Sequence, residues 1–393
     1  MSGALFLGWR YLAFHKLKAT ILTASITLML FLPAATRLLV NDSAAALTAR
    51  ADLTPLVAGT KGSPLELVLN ALYFHAEQPS VMPYRQFLQL RDTGLAKAIP
   101  LHTRFHSRGS PIVGTSLDYF SFRNLRLAQG RMMGMLGEAV IGANVAARQN
   151  VTAGDSVVSS PETVFDIAGV YPLKMRIVGV LEANGTADDD AVFVDYKTTW
   201  VIQGLGHGHQ DLEKPEAMGA VLNRKDGMVT ANASLVQHAE ITADNVANFH
   251  FHGASAEYPL TSVLLIPPDE KNTALLRGRY QDNEQGLQMI VPSSVLNDLL
   301  ETVFTVQNYV IIGLAMLSLA TIAVITLVFL LSQQLRKGEF HTLSRIGASK
   351  AFISTLIVSE IGFVLIGSLI LAAGLTLVVR YYALQILQTF LSL

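Results

Sequence analysis

Histidines are the residues of this sequence whose spacing is suited to chemistry. Eight of the ten histidines lie in the middle of the chain, and four of them form two His-x-His pairs: His207 with His209, and His250 with His252. Residues two apart in a β-strand point to the same face, so each pair would present both imidazole rings together. Imidazole nitrogen suits zinc and copper ions. The pairs predict a zinc or copper site, with His250 and His252 as the better pair; the alternative is ordinary surface or hydrogen-bonding histidines.

The motifs of common hydrolases and ATPases are missing from the sequence. Neither Gly-x-Ser-x-Gly nor His-Glu-x-x-His occurs, and residues 59–63 (Gly-Thr-Lys-Gly-Ser) lack the spacing of a phosphate-binding loop. We interpret 59–63 as a turn. Asp188, Asp189 and Asp190 are interpreted as a solvated hairpin turn, with a cation site as the alternative. We therefore expect a protein that is not an enzyme, and any ATP must be hydrolysed by a separate subunit.

Composition indicates a membrane protein. The chain has 393 residues, of which 51% are hydrophobic, with a mean hydropathy of +0.39 and a net charge of −1. The apolar residues are concentrated at the two ends, and the near-neutral charge offers no basic surface for nucleic acid. The absence of cysteine excludes disulfides and thiolate zinc sites.

Three apolar runs are long enough to cross a bilayer core of about 30 Å, which takes roughly 20 helical residues. Arg10, Lys16 and Lys18 precede the first run, so the N-terminus is expected in the cytoplasm. The expected order is a cytoplasmic amphipathic segment (1–18), a first transmembrane helix (19–40), a large extracytoplasmic domain (41–302), a second helix (309–331), a cytoplasmic loop (332–351), a third helix (352–380) and a short apolar C-terminal segment (381–393).

The first apolar run has a second interpretation as a cleaved signal peptide, with small residues at 43–46 as the cleavage site. The run is longer than a usual signal core, and Arg37 lies between it and that site. We therefore expect a retained helix, which Pro33 would kink or end.

Residues 41–302 alternate helix and strand signals, which predicts an α+β domain of two lobes. Apolar periodicity predicts a helix at 66–74. Runs of β-branched residues predict strands at 175–181, 191–195 and 262–266. The polar turn at 184–190 predicts that the first two of these strands form a hairpin. Residues 204–210 are predicted to form a flexible loop, and the helix leading into the second span is predicted to begin at Pro292.

A polar stretch, residues 336–350, separates the second and third apolar runs. It carries Glu339 as its only acid and four basic residues: Arg336, Lys337, Arg345 and Lys350. This positive excess indicates the cytoplasmic side. Phe340, Leu343 and Gly347 fall at helical spacing, which predicts a short helix with one apolar face. Such a helix either lies on the lipid surface or docks on a soluble protein.

The polar stretch resembles a loop of the FtsX-like permease family, the membrane subunits of MacB-like (type VII) ABC transporters. The motif here reads Arg336-x-x-Glu339-Phe340-x-x-Leu343-x-x-Ile346-Gly347-Ala348-Ser349, and Glu360 follows in the next helix. Other segments are similar to the family's first helix and periplasmic core: 5–10, 16–23, 113–120, 129–131, 138–142, 154–155 and 177–180. The short motifs occur in the family's order along nearly the whole chain.

The resemblance implies an α-helical membrane protein with a MacB-like periplasmic α+β core between its first two transmembrane helices. It implies a multi-pass location in a bacterial inner membrane. It further implies a homodimeric permease subunit that couples ATP hydrolysis to movement of the periplasmic domain, which exports or extracts an unidentified cargo (mechanotransmission). ATP and magnesium would be held by a separate ABC ATPase. Membrane lipid and a periplasmic or lipoprotein partner are also implied. The resemblance implies no cofactor bound by this chain itself, so the possible zinc comes only from the histidine pairs.

In this family the loop forms the coupling helix, which rests in a groove of the ATPase. The resemblance assigns ATPase coupling to Arg336, Glu339, Phe340, Leu343, Ile346, Gly347, Ala348 and Ser349. Gly347 is expected to allow close backbone approach. Glu360, an acid within a span, needs a partner. We expect it either to pair with a base of the coupling loop or a polar group in the bundle, or to be hydrated at the interface.

Two alternatives remain open, a regulatory membrane protein without cargo and a complex that handles periplasmic zinc. The family usually has a fourth span, which leaves the location of the C-terminus open.

Overall fold

The computed structural model describes residues 2–75, 80–160, 172–208, 221–225, 228–231, 238–280 and 286–391. Its contacts divide the chain into two compact units. We call Met1–Leu47 with Asp298–Phe390 the helical unit, and Thr48–Asn297 the α+β unit.

The described α-helices are α1 (Ser2–Phe14), α2 (Lys16–Asp52), α3 (Pro64–Tyr73), α4 (Tyr84–Asp92), α5 (Leu117–Phe122), α6 (Ala143–Gln149), α7 (Tyr196–Ile202), α8 (Glu270–Tyr280), α9 (Pro292–Leu335), α10 (Lys337–Arg345) and α11 (Lys350–Leu391). Short 3-10 helices occur at Ala187–Asp190, Val246–Asn248 and Ser255–Glu257.

The described strands are β1 (Leu56–Thr60), β2 (Met82–Pro83), β3 (Lys97–Ser107), β4 (Ser110–Thr115), β5 (Leu127–Gly130), β6 (Glu138–Ile141), β7 (Ser156–Val158), β8 (Lys174–Leu181), β9 (Val192–Asp195), β10 (Gly206–Gly208), β11 (Val221–Lys225), β12 (Met228–Ala231), β13 (Phe249–Phe251), β14 (Pro259–Leu260), β15 (Ser262–Ile266) and β16 (Leu287–Ile290).

Three helices of the described chain, α2, α9 and α11, are long and apolar enough to cross a membrane. They pack together around Leu22, Ile26 and Val364, with Leu12 of α1 completing the cluster. The hydroxyl of Ser368 on α11 donates to the carbonyl of Thr23 on α2 at 3.1 Å. The helical unit thus joins its long helices by an apolar core and by small polar side chains.

Two of these helices are longer than predicted. Helix α2 continues through Pro33 to Asp52, so Pro33 does not end the helix. A proline inside a helix removes one backbone hydrogen bond, and long apolar helices tolerate this loss. Helix α11 runs to Leu391, so the predicted C-terminal segment 381–393 continues the third long helix over its described residues. The predicted start of the second long helix at Pro292 is confirmed.

A ten-stranded mixed sheet forms the centre of the α+β unit, in the order β16-β1-β15-β3-β4-β9-β6-β8-β5 with β7 paired to β8. Two neighbouring pairs, β4 with β9 and β6 with β8, are parallel, and the other pairs are antiparallel. The predicted strand at 262–266 is confirmed as β15. The predicted helix at 66–74 is confirmed as α3, whose first turn is capped by the hydroxyl of Ser63.

Two hydrophobic clusters lie along this one sheet. One surrounds Leu56, Leu260 and Leu265, and the other surrounds Ile141, Met175 and Ile177. The eleven-residue strand β3 continues through both halves of the sheet, with a shift of register between His102 and Phe105. The two predicted lobes are therefore two cores on a single sheet.

The predicted hairpin between strands 175–181 and 191–195 is wrong. Both strands form, as β8 and β9, but β6 lies between them and pairs with each. Their connection passes over the end of β6 at Gly142. A Cβ atom at Gly142 would lie only 2.3 Å from the carbonyl oxygens of Asp188 and Asp189. Two strands close in sequence are thus separated because a third strand occupies the position between them.

The predicted flexible loop at 204–210 is also wrong for part of its length. Gly206–Gly208 is the strand β10, which pairs antiparallel with β13. The neighbouring residues 209 and 210 lie outside the described part of the chain.

Candidate functional site

Arg336, the residue between α9 and α10, joins three elements of the helical unit. Its Nη1 donates to both carboxylate oxygens of Glu360 on α11, at 2.7 and 3.0 Å. Its Nε donates to Glu339 on α10 at 3.0 Å. Its guanidinium carbon lies 3.6 Å from the centre of the Tyr11 ring on α1, which is a close cation–π contact. The start of α10 is therefore held to α1 and α11 by one side chain.

Glu360 is buried in this arrangement, with 5% of its surface exposed. A carboxylate so placed requires a cation, and Arg336 supplies it. Of the two expectations for Glu360, the structure shows pairing with a base of the 336–350 stretch.

Helix α1 packs against α11 beside the ion pair. A Cβ atom at Gly8 would lie 2.3 Å from the hydroxyl oxygen of Ser359, so glycine permits the close approach of the two helices. Trp9 makes an edge-to-face contact with Phe363, with ring centres 5.7 Å apart. The amphipathic segment predicted at 1–18 is thus the helix α1 and the start of α2, and α1 is one wall of the site.

The helix predicted within the polar stretch is present as α10, and Gly347 ends it. The backbone φ of Gly347 is +100°, the amide of Ala348 donates to the carbonyl of Leu343, and the amide of Gly347 donates to the carbonyl of Ser344. This is the Schellman arrangement, which favours glycine. Nothing lies within 4 Å of a Cβ built at Gly347. Close approach of another backbone is therefore not its role within the chain, and the turn conformation is.

Ser349 begins the next helix. Its hydroxyl accepts a hydrogen bond from the amide of Phe352 at 3.2 Å, in the first turn of α11. Two of the residues assigned to coupling, Gly347 and Ser349, thus shape the turn between α10 and α11.

The outer face of α10 is exposed to solvent. Ile346, at the end of the helix, is 76% exposed, and the Glu339 side chain is 63% exposed. Phe340 and Leu343 are half-buried. The helix therefore has a fixed inner face and an outer face that displays both an apolar and an acidic side chain.

Asp188, Asp189 and Asp190 do not form the predicted solvated turn, and all three are buried. Asp188 pairs with Arg50, near the end of α2, at 2.7 Å, and accepts a hydrogen bond from the Tyr119 hydroxyl at 2.7 Å. Burial alone would raise the pKa of Asp188, but the charge of Arg50 and these hydrogen bonds lower it. Asp190 pairs with Arg148. Asp188 and Asp190 thus pair with arginines, and Asp189 accepts hydrogen bonds from the backbone amides of Asn184 and Gly185.

Three of the four histidines predicted to bind metal come together. A nitrogen of His207, one of His250 and one of His252 all lie within 4.8 Å of one another. Among the described residues, this is the one group of three histidine or acidic side chains so arranged. His209 lies outside the described residues.

Sequence reasoning missed Tyr11 at the Arg336 site and Arg50 in the core. Tyr11 carries no local signal for this contact. Arg50 did have a sequence signal, because it lies near the end of a long apolar helix. An arginine there needs an acidic partner if that end of the helix is buried.

The sequence model of the MacB-like periplasmic core domain matches residues 20–240. No curated protein sequence matches the chain. The periplasmic region of MacB from Actinobacillus actinomycetemcomitans aligns with 63% of this chain and 92% of its own, at 11% identity and a TM-score of 0.32. The extracellular domain of the noncanonic ABC-type transporter YknZ from Gram-positive bacteria aligns with 60% of this chain and 99% of its own, at 10% identity and a TM-score of 0.32.

The family match covers more than half of the chain, and the residues matched include most of the α+β unit. The chain therefore belongs to the MacB-like, FtsX-type family of ABC transporter permeases.

Proposed function

We propose that the chain is the membrane subunit of an ABC transporter whose coupling helix is α10. The observation that carries the proposal is the position of Arg336, which contacts Glu339, Glu360 and Tyr11 at the base of α10. A helix held at its base transmits a force to the helices it contacts, whereas an unattached loop would absorb it. An ATPase bound to the outer face of α10 would thus move α1 and α11 together.

The movement has a covalent route to the α+β unit. Both units contribute residues to α2 and to α9. Near the end of α2, Arg50 is bonded to Asp188 and Tyr119 within the core of the α+β unit. In this proposal, ATP hydrolysis by the separate subunit drives motion of the α+β unit on an unidentified cargo.

The proposal places the N-terminus and α10 in the cytoplasm, the α+β unit in the periplasm and the chain in a bacterial inner membrane as a homodimer. The apolar stretch of α9 supports the location in a membrane and the homodimer. Its most apolar 18-residue window has no buried residue in the single chain. Lipid and a second copy would cover it.

The absence of cysteine makes the topology directly testable. Ser344→Cys lies on α10 and Lys271→Cys on α8, both at exposed positions. A membrane-impermeant maleimide should label Lys271→Cys in cells with a permeabilised outer membrane, and Ser344→Cys only after the inner membrane is opened. Labelling of Ser344→Cys in intact inner membranes would overturn the assignment of sides.

Coupling is tested by replacing Ile346 with Asp in the full chain reconstituted with its ABC ATPase. Loss of an exposed apolar contact at the centre of an interface should weaken ATPase binding at least about tenfold. Leu275→Asp on α8, where leucine is 49% exposed, is the matched control and should bind normally. If Ile346→Asp and Glu339→Lys both leave ATPase binding and hydrolysis unchanged, α10 is not the coupling helix.

A further inference from the structure

Strands β10 and β13 form a two-stranded ribbon whose two faces differ in composition. His207 is directly opposite His250, Gly206 is opposite Phe251, and Gly208 is opposite Phe249. Because side chains alternate along a strand, the glycines and phenylalanines share one face and the histidines share the other. The alternation continues to His252, whose amide donates to the carbonyl of Leu205 at 3.0 Å.

The phenylalanine face is fixed to the core of the α+β unit. Phe251 contacts the rings of Trp200 and Tyr258, with ring centres 6.3 and 6.1 Å apart. Each phenylalanine also lies against the backbone of the opposite glycine. A Cβ at Gly206 would lie 2.6 Å from the Phe251 ring, and one at Gly208 would lie 2.5 Å from the Phe249 ring. These contacts determine which face of the ribbon is turned to the core, and therefore on which face its histidines lie.

The histidine face brings three imidazole rings together. Their centres lie 4.9 Å apart for His207 and His250, 4.7 Å for His207 and His252, and 4.8 Å for His250 and His252. Three nitrogens bound to one tetrahedral zinc ion lie about 3.3 Å apart, given Zn–N bonds of about 2.0 Å. Small side-chain rotations would bring the three nitrogens, now within 4.8 Å of one another, to that spacing.

Neighbouring groups orient two of these residues. Nδ1 of His250 lies 3.3 Å from the carbonyl oxygen of Asn248. An Nδ1–H that donates to this carbonyl leaves the lone pair on Nε2, as in many metal-binding histidines. The Tyr258 hydroxyl donates to the carbonyl of His252 at 2.7 Å and holds the backbone there.

We propose that His207, His250 and His252 bind one divalent transition-metal ion, with zinc as the best match. The donors are three imidazole nitrogens, with no carboxylate or thiolate in the group. Calcium and magnesium require oxygen ligands, so this donor set excludes them, while zinc, copper and nickel accept it. His252 is exposed, which leaves the fourth coordination position open to water or to a ligand from another molecule. The site lies on the α+β unit and does not depend on the coupling role of α10.

The proposal is tested by equilibrium dialysis of the full chain, purified in detergent and stripped with a chelator, against zinc chloride. One zinc ion per chain is expected. His207→Ala, His250→Ala and His252→Ala should each weaken binding at least about tenfold. X-ray absorption should find three imidazole nitrogens at about 2.0 Å.

Two further variants distinguish specific zinc binding at the three-histidine cluster from nonspecific zinc binding by surface histidines. His75→Ala removes an exposed histidine outside the cluster, so zinc binding should be unchanged. Gly206→Val keeps every ligand but displaces Phe251, so it should weaken binding if the ribbon sets the geometry. Circular dichroism of each variant checks that the chain is folded.

Absence of stoichiometric zinc binding by the full chain would overturn the proposal. So would equal affinity of the wild type and the folded variant that lacks all three histidines. Both outcomes would leave the assignment of α10 as the coupling helix unchanged, since that assignment is tested by ATPase binding and ATP hydrolysis.

Discussion

One nitrogen of Arg336, Nη1, contacts both carboxylate oxygens of Glu360, so a residue at the base of α10 is bonded to the buried face of α11. The two side chains are 11% and 7% exposed. Removing one member of a buried pair costs about 3–5 kcal/mol, because the other charge is left without a partner.

We expect Arg336→Met and Glu360→Met each to lower the thermal unfolding midpoint of the full chain in detergent. The double variant Arg336→Met with Glu360→Met should recover much of the loss, since it replaces the pair with apolar side chains. A double variant whose loss equals the sum of the two single losses would show that the two residues do not interact.

Gly347→Ala should loosen the end of α10. An alanine at φ +100° costs about 1 kcal/mol, which corresponds to about fivefold faster exchange of the local amides. Gly338→Ala is the matched control, because Gly338 lies within α10 and has open space for a Cβ. Hydrogen exchange measured over 337–348 should separate the two variants. Equal protection in both would contradict the role given to the left-handed turn.

Asp188→Asn should strongly destabilise the α+β unit, since it leaves the buried Arg50 without its carboxylate. The expected loss is about 3–5 kcal/mol. Asp118→Asn breaks the ion pair with Lys97, whose side chains are 51% and 52% exposed, and should cost less than about 1 kcal/mol. In a Trp9→Phe background, fluorescence of the remaining Trp200 reports this unit alone. Similar losses for the two variants would contradict the burial of the Arg50 pair.

His102 should make the stability of the α+β unit depend on pH. Burial, together with the charge of Arg104, lowers the pKa of His102 from 6.5 to about 3. Its Nδ1 lies 2.7 Å from the hydroxyl oxygen of Thr199. Because Thr199 donates its own proton to the carbonyl of Tyr196, it accepts from His102, which fits a neutral imidazole.

Between pH 6.5 and about 3 the unfolded chain binds a proton on His102 that the folded chain does not. Stability is therefore lost as the pH falls through this window, by up to about 1.4 kcal/mol per pH unit. His102→Gln removes this contribution, so its unfolding free energy should fall less steeply from pH 6.5 to 4.5. His106, whose pKa burial also lowers, is present in both proteins and cancels in the comparison. Equal slopes would show that His102 is not held neutral.

The histidine site shows what the spacing of residues in the sequence could predict and what it could not. The two His-x-His pairs were visible in the sequence, but the cluster takes both residues of one pair and His207 of the other. That choice follows from the register of β10 against β13, which pairs His207 with His250. The register depends on Phe249 and Phe251 packing on the core, and no local pattern at 204–210 reports it.

The amino-acid sequence by itself determined the three long apolar helices, the short helix between the last two, the helix predicted at 66–74 and the strands predicted at 175–181, 191–195 and 262–266. These features depend on length, periodicity and residue type over a few neighbouring positions, which are all present in the local sequence. The order of short motifs was enough to indicate the family.

Only the tertiary structure decided which charges are buried and which strands are neighbours. Arg50 and Asp188 are 138 positions apart, and β6 separates two strands that a polar turn had suggested would pair. Such contacts join residues distant in the chain, and their free energy depends on burial that the folded core creates. Arg336 combines the two kinds of information: its motif marked it, and the fold placed it between Glu360 and Tyr11.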